Sequence, residues 1–243
     1  MGVDHLAQQP YSPQATALPV AMHGTLAGEQ RPQTTIMGQK GQRLVVDVEA
    51  QRIGSGLRPV LRLFDPRGVQ IAWSAPQPNI AMDARIDVIL PADGNYVVEL
   101  HDILYRAPNA SPFRLKIGEL HYADLVFPMA VTRGTKGTVR LMSSITSGPN
   151  LELDLSGDQR SGERPVNWVG EPAFTGAQPR VTVSEFPEIV ETPAVAGSLQ
   201  SIPPAPVGID GQLSAANEED RYLLDVTPGA KLQFDVVARR AGS

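Results

Sequence analysis

Residues Arg43–Ala50 read RLVVDVEA, and their alternation decides the fold class. Leu44, Val46, Val48 and Ala50 fall on one side of an extended chain and Asp47 and Glu49 on the other, the pattern of a half-buried strand. The same period of two runs on through Pro59–Phe64, Val69–Trp73, Arg85–Leu90, Asn95–Leu100 and Pro112–Ile117. Turn chemistry separates these runs. Asp65-Pro66-Arg67-Gly68 places Pro and Gly where a type I turn favours them, and Pro91-Ala92-Asp93-Gly94 sets Asp-Gly between two alternating stretches. Gly38-Gln39-Lys40-Gly41 leads into the strand at Leu44. Ser214–Asp220 (SAANEED) hints at a helix but is too short and polar to stand alone. Closely spaced strands with such turns predict an all-β fold, a sandwich or barrel rather than a parallel α/β sheet, and of the two the expected form is a jelly-roll-like β-sandwich.

After Gly118 the strands thin out to Leu125–Phe127, Thr138–Met142, Leu151–Leu155 and Arg180–Val183. Polar stretches rich in Gly, Ser and Pro separate them. The expected organisation is a linker over 1–20, a sandwich over 21–118 and a smaller Ig-like or irregular β domain over 119–186. A Pro-rich linker over 187–208 and a truncated second copy of the first module over 209–243 complete it.

The second copy rests on self-similarity. Gly24-Thr25-Leu26 recurs 187 residues on as Gly211-Gln212-Leu213. Gly41, Leu44, Val46, Val48, Ala50, Arg52, Gly54 and Ser55 recur 188 residues on as Gly229, Leu232, Phe234, Val236, Ala238, Arg240, Gly242 and Ser243. Pro-rich segments precede both stretches. A few strands alone cannot bury both faces of a sandwich, so this copy is expected to present an open sheet edge.

The first copy resembles the bacterial pre-peptidase C-terminal domain. The residues that carry the likeness are the turn into Gly41–Ala50, Gly54-Ser55, the run Pro59–Phe64 with Asp65-Pro66-x-Gly68, Asp87–Val98, His101-Asp102 and Phe113–Gly118. The likeness covers about residues 20–118 and, in part, 209–243. It implies a β-sandwich appended to secreted proteases or set in large exported proteins of planctomycete type. Val126-Phe127-Pro128, Arg133-Gly134 and Val139-Arg140-Leu141 resemble the Ig-like segment that follows such modules. The family's acidic element before the first Gly turn persists as Glu219-Asp220-Arg221-Tyr222, whereas the first copy has Gln33-Thr34-Thr35-Ile36. That departure weakens the calcium binding some members show.

Composition narrows the function. The chain has 243 residues, 42% hydrophobic and 19% charged, enough apolar material for a packed core. Net charge is −5 and the longest basic run is the pair Arg239-Arg240, so a phosphate-tracking surface has no electrostatic basis and nucleic acid is not expected as a partner. Cysteine is absent, which removes disulfides, thiolate metal sites and thiol nucleophiles. No apolar run reaches the length of a membrane span. Met1–Tyr11 lacks the features of a signal peptide, yet the chain starts in a Pro/Gln-rich stretch and stops within a strand pattern, which reads as a piece of a longer product.

Reaction chemistry finds little support. His5, His23, His101 and His121 form no H-x-x-x-H pair, and neither a G-x-S-x-G elbow nor a phosphate-binding glycine loop occurs. Ser143-Ser144 near His121 and Asp124 is an unspecific grouping, and His101-Asp102 reads as a turn element. Asp83, Asp87, Asp93 and Asp102 could offer oxygens to calcium, but their spacing is not a calcium loop and solvated turn acids are the simpler reading. Trp73, Tyr96 and Phe113 sit in phase with apolar strand faces and are expected in the core. Tyr105 and Trp168 lie in loops and are the better candidates for a surface contact, with Tyr122 a further aromatic.

The sequence thus predicts a non-catalytic binding, adhesion or targeting module of a larger exported protein, without a cofactor or catalytic residues. It would be extracellular, at the cell surface or periplasmic, with an extracellular polysaccharide or protein as partner. The alternatives are an accessory region of a secreted protease or other hydrolase, and a structural spacer in a surface array.

Overall fold

The computed structural model describes residues 6–14, 17–143, 149–157, 160–167, 176–192 and 199–238. Its architecture is all-β, and the chain divides into two compact units.

The first unit carries strands β1 (Ala7–Pro10), β2 (Val20–Gly28), β3 (Gln33–Gly38), β4 (Arg43–Glu49), β5 (Pro59–Phe64), β6 (Gln70–Ser74), β7 (Ala84–Ile89), β8 (Gly94–Asp102) and β9 (Ala107–Gly118). They form a five-stranded sheet of order β1-β2-β9-β4-β7 and a four-stranded sheet of order β3-β8-β5-β6. The inward residues of both sheets meet in one core that includes Met22, Leu44, Val46, Val48, Leu61, Leu63, Tyr96, Val98, Leu115 and Ile117. This is a β-sandwich, and alternation along each strand builds it. Leu44, Val46 and Val48 are each 0% exposed because β4 lies between β7 and β9, antiparallel to both.

Residues 1–20 were expected to be a linker, but Ala7–Pro10 forms an edge strand parallel to β2, paired from Ala7↔Val20 to Pro10↔His23. Its Pro10 is tolerated because an edge strand needs only half of its amides in a ladder.

The second unit contains β10 (Ala123–Phe127), β11 (Ala130–Thr132), β12 (Lys136–Ser143), β13 (Asn150–Asp154), β14 (Gly162–Pro165), β15 (Arg180–Ser184), β16 (Glu188–Val190), β17 (Leu199–Ser201), β18 (Gly208–Asp210) and β19 (Arg221–Leu223). Two three-stranded sheets, β10-β12-β13 and β11-β15-β14, bury Val126, Val131, Val139, Leu141, Val166, Val181 and Val183. The remaining strands pair in parallel, β16 with β18 and β17 with β19. The stretch 187–208, expected to be an unpaired linker, therefore supplies strands.

The β16–β18 pair matches β1–β2 of the first unit in its pairing. Gln8↔Ala21 of β1–β2 corresponds to Glu188↔Gly208 of β16–β18. Tyr11 N donates to the His23 carbonyl at 2.9 Å, and Glu191 N donates to that of Asp210 at 2.9 Å. The repeated stretch 231–238 differs from β4: it contains no strand, and Phe234 and Val236 are each 81% exposed. The SAANEED segment folds as a turn, without a helix. Among the described residues no helix is long and apolar enough to cross a membrane.

Candidate ligand-binding face

The outer face of the four-stranded sheet is the surface where aromatic and polar side chains converge. Cross-strand partners point to the same side of a sheet, so the register Gln33↔Glu99, Glu99↔Arg62 and Arg62↔Trp73 lays one row of side chains across all four strands. Glu99, buried at 4% exposure, ties the row together. Gln33 Nε2 donates to its Oε2 at 2.6 Å, and Arg62 Nη1 lies 3.4 Å from its Oε1. Arg62 Nε also donates to Gln70 Oε1 at 2.5 Å, and the guanidinium carbon stands 5.1 Å from the Phe64 ring centroid. The row is thus pre-ordered, with Trp73, 63% exposed, at its edge.

Trp73 corrects the expectation that it would join the core. Leu63 pairs with Ala72 while Phe64 pairs with Gln70, so Ile71 is an extra residue in the ladder. This bulge reverses the facing of the strand. Ala72 and Ser74 turn inward and Trp73 turns out. Ser74 holds its place with hydrogen bonds, accepting from Gln77 Nε2 at 2.7 Å and from Arg85 N at 3.1 Å. Tyr96 and Phe113 do lie in the core, at 0% and 2% exposure.

The same face continues into the loop after β8, built around Asp102. Its carboxylate accepts from the amides of Leu104 at 2.9 Å, Arg58 at 3.1 Å and Arg106 at 3.4 Å. Burial raises the Asp102 pKa, but these amides outweigh it and hold the carboxyl below its ordinary value. Ile103 N donates to the Arg58 carbonyl and Tyr105 N to that of Asp102, both at 2.9 Å. Tyr105 adopts φ 54°, a left-handed conformation that a non-glycine residue keeps only where its surroundings enforce it. His101 stacks on its ring at 4.4 Å, and the Arg31 guanidinium stands 5.8 Å from the ring centroid. His101-Asp102 is therefore a loop anchor, and Tyr105 is the exposed loop aromatic expected of it.

The four aspartates considered for calcium are held by four separate partner sets. Asp83 caps the turn after β4, accepting from Ala50 N, Gln51 N and Arg52 Nε. Asp87 pairs with Arg43 and accepts from the Tyr122 hydroxyl, and Asp93 accepts from Lys40 N. Among the described residues no three acids or histidines gather as a metal site. Trp168, Ser144 and the side chain of Ser143 lie outside the described residues, as do His5 and Arg239-Arg240.

The outer face of the five-stranded sheet is ionic and closed. Lys116 Nζ bridges Asp47 at 2.8 Å and Glu49 at 2.9 Å, and Arg52 contacts Asp47 at 2.9 Å. Lys116 and Asp47 are 0% and 1% exposed. Burial pushes the Asp47 pKa up, but Lys116, Arg52 and Arg85 together bring it down to about 2. This face is occupied by its own ion pairs, whereas the four-stranded sheet presents Trp73 to solvent.

Comparisons with known proteins find structural likeness only. Neither a protein-family model nor a curated protein matches the chain. It is similar to the solved pre-peptidase C-terminal domain of a Bacillus anthracis collagenase, at 12% identity over 45% of this chain and 97% of that one, with a TM-score of 0.35. It is likewise similar to the Aeromonas hydrophila periplasmic inhibitor of g-type lysozyme, at 17% identity over 48% of this chain and 98% of that one, with a TM-score of 0.34.

Proposed function

We propose that the chain is a non-catalytic binding part of a larger exported protein and meets an extracellular polymer through the outer face of its first sandwich. Residues 21–118 are the working module, 119–186 a smaller β domain and 209–243 a repeat of the module's opening. The observation that carries this reading is the exposed pair Trp73 and Tyr105, each mounted on rigid, hydrogen-bonded backbone at the ends of a pre-ordered polar face. Ring-bearing side chains held in place bind with little loss of freedom on contact.

The test is retention of the full chain on insoluble polysaccharides and fibrous proteins. Binding to at least one polymer is expected, and Trp73→Ala with Tyr105→Ala should cut retention at least tenfold without lowering the melting temperature. If no polymer retains the chain, or the double variant binds as well as the parent, the proposal fails.

A further inference from the structure

Resting on that reading, we infer that the loop Asp102–Arg106 docks on an acidic protein surface. The loop tip exposes Ile103 (39%), Leu104 (59%) and Tyr105 (39%) in succession. Arg31, Arg58 and Arg106, all exposed, stand around it. Arg58 and Arg106 are fixed through their backbone amides on Asp102, and Arg31 through its approach to Tyr105. None of the three forms an ion pair with a described residue. Elsewhere in this unit Arg43, Arg52, Arg62, Arg67, Arg85 and Arg114 all do. The carboxylate at the centre of the loop is buried and held by the three amides; its single negative charge faces three guanidinium groups, so the tip keeps a positive excess. In a chain of net charge −5 this end is a local concentration of positive charge, and a complementary partner is acidic.

The apolar part of the tip decides between a protein and a glycan. A sugar ring stacks on an open aromatic face, and His101 already covers one face of Tyr105. Adjacent Ile and Leu side chains offer a sugar little. With Tyr and Arg beside them they make the composition of a protein–protein contact centre, apolar in the middle and charged at the rim. The loop is also held in its binding shape before contact, which removes an ordering cost that a floppy loop would pay.

The experiment measures binding of the full chain to fluorescent polymers by anisotropy at two salt concentrations. The probes are a random glutamate–tyrosine copolypeptide, polyglutamate and alginate, a polyuronate. The copolypeptide is expected to bind most tightly, with affinity falling at least tenfold from 50 to 200 mM salt. Arg31→Ala, Arg58→Ala and Arg106→Ala together should reduce it at least tenfold, and Leu104→Ser at least threefold, with melting temperatures unchanged. Failure of the copolypeptide to bind, or the triple variant binding like the parent, overturns the inference. So does alginate binding as tightly as the copolypeptide, an outcome that leaves the broader binding function standing. If the chain also binds no polymer on the retention assay, both fall together.

Discussion

β4 and the stretch Lys231–Ala238 share a sequence pattern and differ in fate. In β4, Leu44, Val46 and Val48 are completely buried, whereas their counterparts Leu232, Phe234 and Val236 are 41%, 81% and 81% exposed and form no strand. The turn before each is nevertheless the same. Gln42 N donates to the Gln39 carbonyl at 3.1 Å, and Ala230 N donates to that of Thr227 at 3.1 Å; Gly41 has φ 81° and Gly229 φ 83°. The turn is a property of a few neighbouring residues and forms in both places. A strand has no internal hydrogen bonds, and its burial is conferred by partners. β4 has β7 and β9, which no described strand supplies to residues 231–238.

A charge placed on each of the two equivalent positions separates their surroundings most strongly. Val46→Asp should abolish folding of the first sandwich, a loss above roughly 4 kcal/mol from an unpaired buried carboxylate. Phe234→Asp should change stability by less than about 0.5 kcal/mol. Chemical denaturation of the two variants measures both, and equal losses would erase the distinction.

A second contrast lies on the opposite side of the same strands. Asp47 is 1% exposed beside Lys116, Arg52 and Arg85, while its counterpart Asp235 is exposed. Asp47→Asn is expected to cost about 3 kcal/mol, because it strips buried cations of a counter-charge, and Asp235→Asn, at an exposed position, less than about 1 kcal/mol. The Asp47 pKa falls from 3.8 to about 2 on folding. Its ionised form is therefore stabilised above pH 4, and about 2 kcal/mol should be lost as the pH drops toward 2. A pH series of denaturation midpoints, falling less steeply over this range in Asp47→Asn than in the parent, checks the sign.

Asp210 has the opposite sign. Burial raises its pKa from 3.8 to about 6; the amides of Met129 and Ala130 act against that rise, and nearby Glu188 adds to it. Its Oδ1 accepts from Met129 N at 2.7 Å. For this group folding is penalised where the folded state must hold the charge. The penalty is absent below pH 3.8 and complete above pH 6. Amide exchange at Met129–Thr132 should slow between pH 7 and 4, after correction for intrinsic rates, and Asp210→Asn should remove that trend. Its counterpart His23 is exposed.

The smallest expected effect concerns the shared turn. Open space surrounds both glycines, so a methyl group meets no clash and only the backbone resists. Gly41→Ala should lower the stability of the first sandwich by about 1 kcal/mol, whereas Gly229→Ala should leave its melting curve unmoved.

Much of this was legible in the chain itself. Period-two alternation, Pro-Gly and Asp-Gly turns and the repeat spacing are local quantities, and they predicted the all-β architecture and the inward set Leu44, Val46, Val48 and Tyr96. Trp73 was misread because one inserted residue, Ile71, reverses the facing of an edge strand, and nothing in the local pattern distinguishes a bulged ladder from a regular one. The strands within 1–20 and 187–208 escaped notice for a related reason, since parallel edge pairing leaves no turn between partners.

Alternation, in short stretches, says which residues share a side. Which side faces the core, and whether a side is covered at all, depends on strands far away in sequence. That is why identical patterns at Leu44–Val48 and Leu232–Val236 end in different surroundings, and why the row from Gln33 to Trp73 exists only once four separated strands have been brought into register.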